Sequence, residues 1–562
     1  SPHHFGEITP QNLRPYAKNP TLCKFMIQLG RFDQLGSGVT NINKCLPLYA
    51  KGAKPVFNET PHGFELTLPL AEEAAAPEVT PEVTSPQATS ACEEDPMSEQ
   101  LTRHPHTAAV VLAAGRGTRF RSETSKVLHR VAGRSLIGHV LGALAPLGLD
   151  EVLVVVASEG ADVEAEIATW AARMPQRLTT VVQPEPRGTG DALDVALAAL
   201  PEGITRVLVL PGDTPLLRPA TLAALLAVDP ELPLGMLTTL LDDPAGYGRV
   251  LRDDAGRVVG IVEDRDADRA QREVREVNAG MYVLDRAKVQ PLVAALGSDN
   301  SQGERYLTDV VAALVASGGG AEAVDTPAVE VAGVNDRVQL AAAGGVLRQR
   351  HLEELMLAGV SIIDPAHTYV DVDVTVGLEA TLLPGTILEG TTSVGAGAVI
   401  GPSSHLTDCT VGEGAVVHST RAEGAVIGAG VQAGPFAHLR PGTILGEDAK
   451  VGAFVQTKNV TVGARAKLPH LAYVGDAEIG EGANVACGVV TVNYDGRDKH
   501  RTIIGDGAFV GCGTMLVAPV TIGEGAFIAA GSTITEDVPD GALAIARARQ
   551  VTKEGRAAGR LG

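Results

Sequence analysis

The apolar positions of this 562-residue chain change their period along its length. From residue 107 to about 334, short apolar runs alternate with helical patterns. Runs at 109–112, 152–156, 206–210, 234–239 and 280–284 read as strands, and 135–145, 163–170, 190–200 and 219–226 as helices. That alternation predicts βαβ units and a mainly parallel sheet, an α/β domain over 105–334. Val338, Leu340, Val346, Leu347 and Leu355 recur at loose helical spacing and predict a connecting helix within 335–360. From 361 to 547 the period becomes six. An aliphatic residue precedes a glycine at Val394-Gly395, Val411-Gly412, Ile427-Gly428, Val462-Gly463, Ile504-Gly505 and Ile522-Gly523. Inward aliphatics on each face and small residues at each corner are the signature of a parallel β-helix. The period breaks at 468–474 and 494–501, which predicts loops standing out from the coil, where function tends to sit.

The first hundred residues follow neither pattern. A helical run at 21–29, a Gly36-Ser37-Gly38 turn and a strand-like alternation at 63–68 suggest a small α+β fragment over 1–70. The string NPTLCKFMIQLGRFDQLGSGVTNI at 19–42 resembles the C-terminal part of a GHKL-type ATPase-like domain of transcriptional regulators. The N-terminal half of that domain is missing. A Gly-Ser-Gly turn without its partner strands makes no nucleotide pocket, so a fragment without its own activity is expected. Residues 71–104 are rich in Ala, Glu, Pro, Ser and Thr and cannot offset their ordering entropy, so they read as a disordered linker. Met97, near the end of that linker, is the expected functional start of the chain.

Composition sharpens this division. The 64 glycines and an aromatic content of only 3% suit a small-residue repeat. A net charge of −21 argues against nucleic acid and against an anionic membrane surface as partners. Cys23, Cys45, Cys92, Cys409, Cys487 and Cys512 form no CxxC pair, so no zinc or redox motif is present. Free thiols in a reducing cytoplasm are the simplest account, and neither a bilayer-spanning run nor a signal-peptide pattern is found.

Candidate chemistry gathers at strand ends. The run at 109–112 feeds directly into Ala113, Ala114, Gly115, Arg116, Gly117, Thr118 and Arg119, with Lys126 beyond. Small residues let backbone N–H groups approach a polyphosphate, and Arg119 and Lys126 add fixed positive charge. The string is neither a P-loop nor a dinucleotide fingerprint. Further strand ends carry Gln183 with Gly188 and Thr189, Gly212 with Asp213, Gly248, Glu263, Asn278, and Gly333-Val334-Asn335. A lone Asp after a strand is commonly a turn cap. Mg²⁺ takes hard oxygen ligands, however, and Asp213 with the Asn335 amide could supply two.

The strings LAAGRGTR, QPEPRGTGDA, PGDTPLL, DDPAGYGRV, GIVEDRDA, VNAGMYV, NSQGERYLTD and GVNDR occur in the order seen in a known family. They resemble the N-acetylglucosamine-1-phosphate uridyltransferase half of a bacterial bifunctional enzyme, which has a Rossmann-like nucleotidyltransferase fold. The resemblance implies that Leu112, Ala113, Ala114, Gly115, Lys126, Gln183, Gly188 and Thr189 hold the uracil nucleotide. It implies that Gly212, Gly248, Glu263 and Asn278 hold the sugar, and that Asp213 and Asn335 hold Mg²⁺, with Asn335 also at the nucleotide. Arg119 and Lys126 would then stabilise the departing pyrophosphate of UTP. Pro211 stands where the family has a tyrosine.

In the repeat region LRPG, QTK, HLAYVGDAEIG, NVACG and NYDG resemble the glucosamine-1-phosphate acetyltransferase half of the same enzyme, a left-handed parallel β-helix. By that resemblance His470 is the general base, and Arg440, Lys458, Tyr473, Asn484 and Lys499 hold the acceptor glucosamine 1-phosphate. Cys487, Asn493, Tyr494, Cys512, Ala530 and Arg547 would meet acetyl-CoA. An imidazole of ordinary pKa about 6.5 suits deprotonation of the acceptor amine. The resemblance also implies a homotrimer with acetyl sites between chains, and a tail at 548–562 in which Lys553 is solvated or meets CoA phosphate. Gln456 replaces a frequent glutamate, and Cys487 and Cys512 replace alanine and serine, which predicts sensitivity of acetyl transfer to thiol reagents. The expected product of the two steps is UDP-N-acetylglucosamine, with N-acetylglucosamine 1-phosphate as intermediate. The alternative is a nucleotidyltransferase alone, its β-helix a trimerising scaffold.

Overall fold

The computed structural model describes residues 103–556 apart from Arg116, and before them only three short strands. The chain divides into two compact units, Ser1–Pro96 and Met97–Gly562. In the first, Gly6–Glu7, Val56–Thr60 and Gly63–Thr67 form an antiparallel sheet. The helix expected at 21–29, the Gly-Ser-Gly turn and the linker at 71–102 lie outside the described residues.

The α/β part is built on nine strands: β1 (His104–Leu112), β2 (Leu149–Ala157), β3 (Arg177–Gln183), β4 (Arg206–Pro211), β5 (Leu234–Leu240), β6 (Arg249–Arg252), β7 (Val258–Val262), β8 (Glu276–Asp285) and β9 (Ala321–Asp325). The sheet runs β7-β6-β8-β4-β1-β2-β3, and β5 pairs with both β8 and β9. Strands β4, β1, β2 and β3 are mutually parallel. The remainder is not as the alternation implied. β8 lies antiparallel to β4 and β5, and β6 and β7 form a hairpin, so the sheet is mixed. For the hairpin the cause is local: the 253–256 turn, with Gly256 at φ +79°, reverses the chain too tightly for a crossover helix.

Strand β1 is buried from both sides, as its unbroken apolar run requires. Ala109 and Val111 pack with Ile137, Leu141 and Leu222 on one face of the sheet. Ala108 and Val110 pack with Leu193, Val289 and Val310 on the other. All four of these β1 residues are fully buried. The loops at the carboxyl ends of β1, β3 and β4 therefore hang from a rigid edge.

The repeat region is a parallel β-helix of two- to seven-residue strands in two long ladders. One ladder stacks Leu382, Ile400, Val417, Ala433, Val451 and Leu468 in register, every side chain buried. Each turn takes about 18 residues, three hexapeptides, and buries one aliphatic per face. The two period breaks differ. At 494–501 the chain does leave the coil, and Tyr494 bridges back to Lys499. At 468–474 it does not: Lys467–His470 and Tyr473–Ile479 both keep their ladder pairings, separated by two residues. The glycine punctuation is lost there because Leu471 takes the left-handed corner, at φ +47°.

Helix α1 (Arg337–Leu357) joins the two parts, started by the Asp336 carboxylate accepting from the Gln339 N–H at 2.8 Å. Ala343 and Leu347 sit in one core with Phe120, Leu136 and Leu216. Leu352 and Leu355 sit in the β-helix core. Val338, expected on the packed face, is exposed. Beside the helix, Arg134 grips Asp373 at 2.6 Å and lies over the Trp170 ring at 5.3 Å. Among the described residues no helix is long and apolar enough to cross a membrane.

A β-carbon on Gly452 would overlap the Pro469 carbonyl oxygen of the next coil. Backbone cannot yield there without breaking the ladder. Gly452→Ala should therefore lower stability by about 1–3 kcal/mol, read as a shift of the denaturant midpoint. An unshifted midpoint would show that the coils slide past each other freely.

Candidate active sites

The first site is a cavity of about 550 Å³ at the carboxyl ends of β1, β3 and β4. Leu112, Ala113, Ala114, Gly115, Lys126, Gln183, Gly188, Thr189, Asp213, Glu263 and Asn278 all line it. Pro211 lines it too. Gly212 lies beneath, its N–H donated to the Leu112 carbonyl at 2.9 Å. A side chain there would press on that oxygen at 3.2 Å. Gly248 fixes the Asn278 backbone, whose N–H bonds the Gly248 carbonyl at 2.9 Å. A second hollow of about 430 Å³ adjoins the first, since Glu263 lines both, and Arg119 is in its wall.

Between them lies a charge cluster. The Lys126 ammonium donates to the Asp213 carboxylate and, at 3.3 Å, to the Asn335 amide oxygen. Arg119 donates to the same amide oxygen at 2.9 Å. The Val334 N–H bonds the Asp213 carbonyl at 2.9 Å, so the two oxygen-bearing residues are tied through their backbones. Residues 87 and 209 positions from Lys126 thus converge on one ammonium. Among the described residues no group of three His, Cys, Asp or Glu is placed to hold a metal. The pair nonetheless fits a hard dication. One carboxylate and one amide oxygen face a common point, as Mg²⁺ requires when phosphate and water complete its shell.

Glu263 is largely enclosed, and burial raises its carboxyl pKa above the ordinary value. Thr308 opposes this by donating to Oε1 at 2.9 Å, while Asp309, Asp266 and Asp264 push the same way as burial. Asn278 donates to the Tyr282 hydroxyl at 2.7 Å and accepts from the Gly280 N–H at 3.1 Å, which fixes its amide. Neither Thr308 nor Tyr282 stood out in the sequence. Both lie inside family-like strings, as common core residue types.

The second site is on the β-helix. Lys458 and Lys499 lie side by side with Arg440 close by, and these like charges hold the Lys458 ammonium below its usual pKa. One acid balances them: Asp476, fixed by Asn459 at 2.7 Å and by Asn493 at 2.5 Å. Tyr473 pairs with Gln456 in the adjoining strand. Gln456 makes no side-chain hydrogen bond among the described residues.

His470 and Asn484 are on the other ladder, on consecutive strands. There the corner residues form a column. Register on either side (Lys467 with Asn484, Tyr473 with Val490) sets Cys487 over His470. The next pairs set Cys512 over Cys487, and Ala530 over Cys512. Backbone bonds of 2.8 Å from Gly513 to Cys487 and from Gly531 to Cys512 hold the stack. Arg547 closes it by donating to the Ala530 carbonyl. Cys512 is exposed, Cys487 half-buried and Cys409 buried. Tyr494 projects from the side loop, its hydroxyl on the Gly496 carbonyl at 2.7 Å.

A glycine-bearing strand end beside the Lys126–Asp213 pair on a Rossmann-like sheet, followed by hexapeptide coils bearing a histidine, fits a nucleotidyltransferase fused to an acyltransferase. Family models agree on both parts. Residues 109–235 match the MobA-like NTP transferase domain, and 424–458 and 501–536 match the bacterial transferase hexapeptide (six repeats). The chain is 49% identical over 453 residues to the bifunctional protein GlmU of Mycolicibacterium gilvum, covering 80% of this chain and 91% of that one. It is 48% identical to that of Micrococcus luteus (80% and 93%) and 48% identical to that of Mycobacterium tuberculosis (79% and 90%). The chain belongs to the GlmU family. It is a bifunctional enzyme of UDP-N-acetylglucosamine synthesis, with uridylyltransferase and acetyltransferase domains.

Glu263 gives a pH prediction. A carboxyl whose folded pKa is raised favours folding while protonated, and that stability is lost as pH climbs from the unfolded value of about 4.3 through the folded one. Glu263→Gln keeps an acceptor for Thr308 and removes the charge. It should raise the thermal midpoint at pH 7 and leave it unchanged near pH 4. Equal shifts at both pH values would contradict the burial argument.

Proposed function

We propose that acetylation comes first and that each domain works through the residues gathered above. Glucosamine 1-phosphate seats its phosphate on Arg440, Lys458 and Lys499. Phosphate would relieve the mutual repulsion of these cations, and Tyr473 and Asn484 border the sugar. His470 takes a proton from the acceptor amine. The amine nitrogen bonds the thioester carbon of acetyl-CoA, the carbon–sulfur bond breaks, and the sulfur leaves as a thiol with the proton from His470. The corner column of Cys487, Cys512 and Ala530, flanked by Asn493, Tyr494 and Arg547, supports a bed for the CoA arm beside that base.

N-acetylglucosamine 1-phosphate then enters the α/β cavity. Its phosphate oxygen attacks the α-phosphorus of UTP, and the bond to the bridging oxygen breaks to release pyrophosphate. Gln183, Gly188 and Thr189 border the base. Glu263, Asn278, Gly212 and Gly248 border the sugar. Mg²⁺ held by Asp213 and Asn335 would neutralise phosphate charge there. Lys126 and Arg119 meet the charge that builds on the departing pyrophosphate. The observation that carries this reading is the meeting of Lys126, Asp213, Asn335 and Arg119 at one point beside the cavity. We place the enzyme in the cytoplasm, where its free thiols stay reduced.

We also propose a homotrimer closed over the β-helix. Phe436 and Phe454 stack at 5.4 Å on one corner, each about 60% exposed, with Leu471 next on the same corner at 58%. Phe454→Asp should convert the trimer to smaller species in sedimentation equilibrium, and acetyl transfer should fall with it. A wild-type monomer in sedimentation would overturn the proposal.

The two chemistries should separate cleanly. His470→Ala should abolish thiol release from acetyl-CoA while pyrophosphate release from N-acetylglucosamine 1-phosphate continues. Lys126→Ala should do the reverse, lowering uridylyl transfer about a hundredfold. A loss under about fivefold would remove Lys126 from the reaction. Persistent thiol release without His470 would leave the β-helix base unassigned.

A further inference from the structure

Gln183 ends β3 with its amide at the wall of the nucleotide cavity. Its nitrogen donates to the Gly188 carbonyl at 3.2 Å and to Asp191 Oδ2 at 2.9 Å. Both partners can only accept. Turning the amide over would set its oxygen against two oxygens, so one orientation is imposed. The remaining face is the amide oxygen, which takes no hydrogen bond from the described residues.

Asp191 is itself held from behind. Arg305 donates to Asp191 Oδ1 at 3.1 Å, to Asp194 Oδ2 at 3.1 Å and to the Val293 carbonyl at 2.7 Å. Both side chains of the Arg305–Asp191 pair are under a fifth exposed. The Arg305 backbone grips the same loop, accepting from the Gly190 N–H and donating to the Arg187 carbonyl, each at 2.8 Å. It lies so close that a β-carbon on Gly188 would fall 2.6 Å from its oxygen.

We propose that Asp191, fixed by Arg305, is the positioning residue that sets base choice, by forcing Gln183 to present an acceptor to the base. A pyrimidine with an N3–H satisfies that acceptor. Cytosine, with a lone pair at N3, opposes it and leaves a buried acceptor unpaired. This rests on the reading that the cavity takes a nucleoside triphosphate base at Gln183. What it adds is the pair of residues that make the amide discriminate.

The test is the ratio of kcat/KM for UTP over CTP, read by pyrophosphate release, with thiol release from acetyl-CoA as a check on folding. In Asp191→Asn, Arg305 still claims an oxygen, so the new amide nitrogen faces Gln183 and favours its reversal. The ratio should fall about tenfold or more, with CTP use rising in absolute terms. Arg305→Lys retains one donor on Asp191 and should keep the UTP preference even where overall rate drops. A ratio within about twofold of wild type in a folded Asp191→Asn enzyme would overturn the proposal while leaving uridylyl transfer intact. A wild-type enzyme that uses neither triphosphate, or prefers CTP, would sink the uridylyl reading and this inference with it.

Discussion

Phosphate charge has to be met by cations at fixed points, in a chain whose own net charge is −21. The two sites solve this differently. In the α/β cavity the cation is compensated in advance: Lys126 rests on Asp213 and on the Asn335 oxygen, and is mostly buried. Paired in this way, a buried ammonium avoids the desolvation cost of an isolated one. On the β-helix Lys458, Lys499 and Arg440 are drawn together with Asp476 as their one near acid. That cluster is open to water, which screens the repulsion. One site uses its acid to hold the lysine ready. The other stays unsatisfied, and so favours an anion.

The backbone explains how such clusters can be placed so far apart in sequence. Strand β1, buried from both sides, ends at Leu112, where the Gly212 N–H from the end of β4 bonds the Leu112 carbonyl. Two loops are thereby brought edge to edge before any side chain acts. In the β-helix the same work is done by register. Residues one coil apart stand about 4.8 Å apart, so His470, Cys487, Cys512 and Ala530 become neighbours through ladder geometry alone. Helix α1 contributes Leu347 to one core and Leu355 to the other, so neither part can shift without disturbing both.

Much of this was legible in the sequence, because period six and strand-end glycines are strong local signals. The hexapeptide coils, the 494–501 loop and the glycine-bearing strand ends of the α/β cavity follow from them, whereas Thr308 and Tyr282 in its wall do not. The mixed character of the sheet did not, since an apolar run is the same whichever way its neighbour runs. Nor did the ion pair of Arg305 with Asp191, which spans 114 residues and leaves no periodic trace. The 468–474 break misled for a physical reason. A missing glycine reads as a missing corner, whereas Leu471 supplies the corner at a conformational cost.

That cost has a pattern. Along one corner the left-handed position is filled first by Gly385, Ser403 and Ser419, then by Phe436, Phe454 and Leu471, and then by Gly488, Gly513 and Gly531. Left-handed backbone costs a bulky L-residue about 1–2 kcal/mol, and glycine almost nothing. The bulky residues are also exposed, so within one chain little beyond the Phe436–Phe454 stack offsets their strain. Burying a phenyl ring against another surface recovers roughly 25 cal/mol per Å², enough to offset it. The glycines begin one coil after His470, where Cys487 and Cys512 stand. A corner that must admit a slender cofactor arm has to stay bare, and glycine keeps it so. A corner covered by a neighbouring chain can carry large side chains. On the proposed trimer and cofactor bed, the same corner would change from subunit contact to open at the histidine and put the proposed base at the boundary between the two.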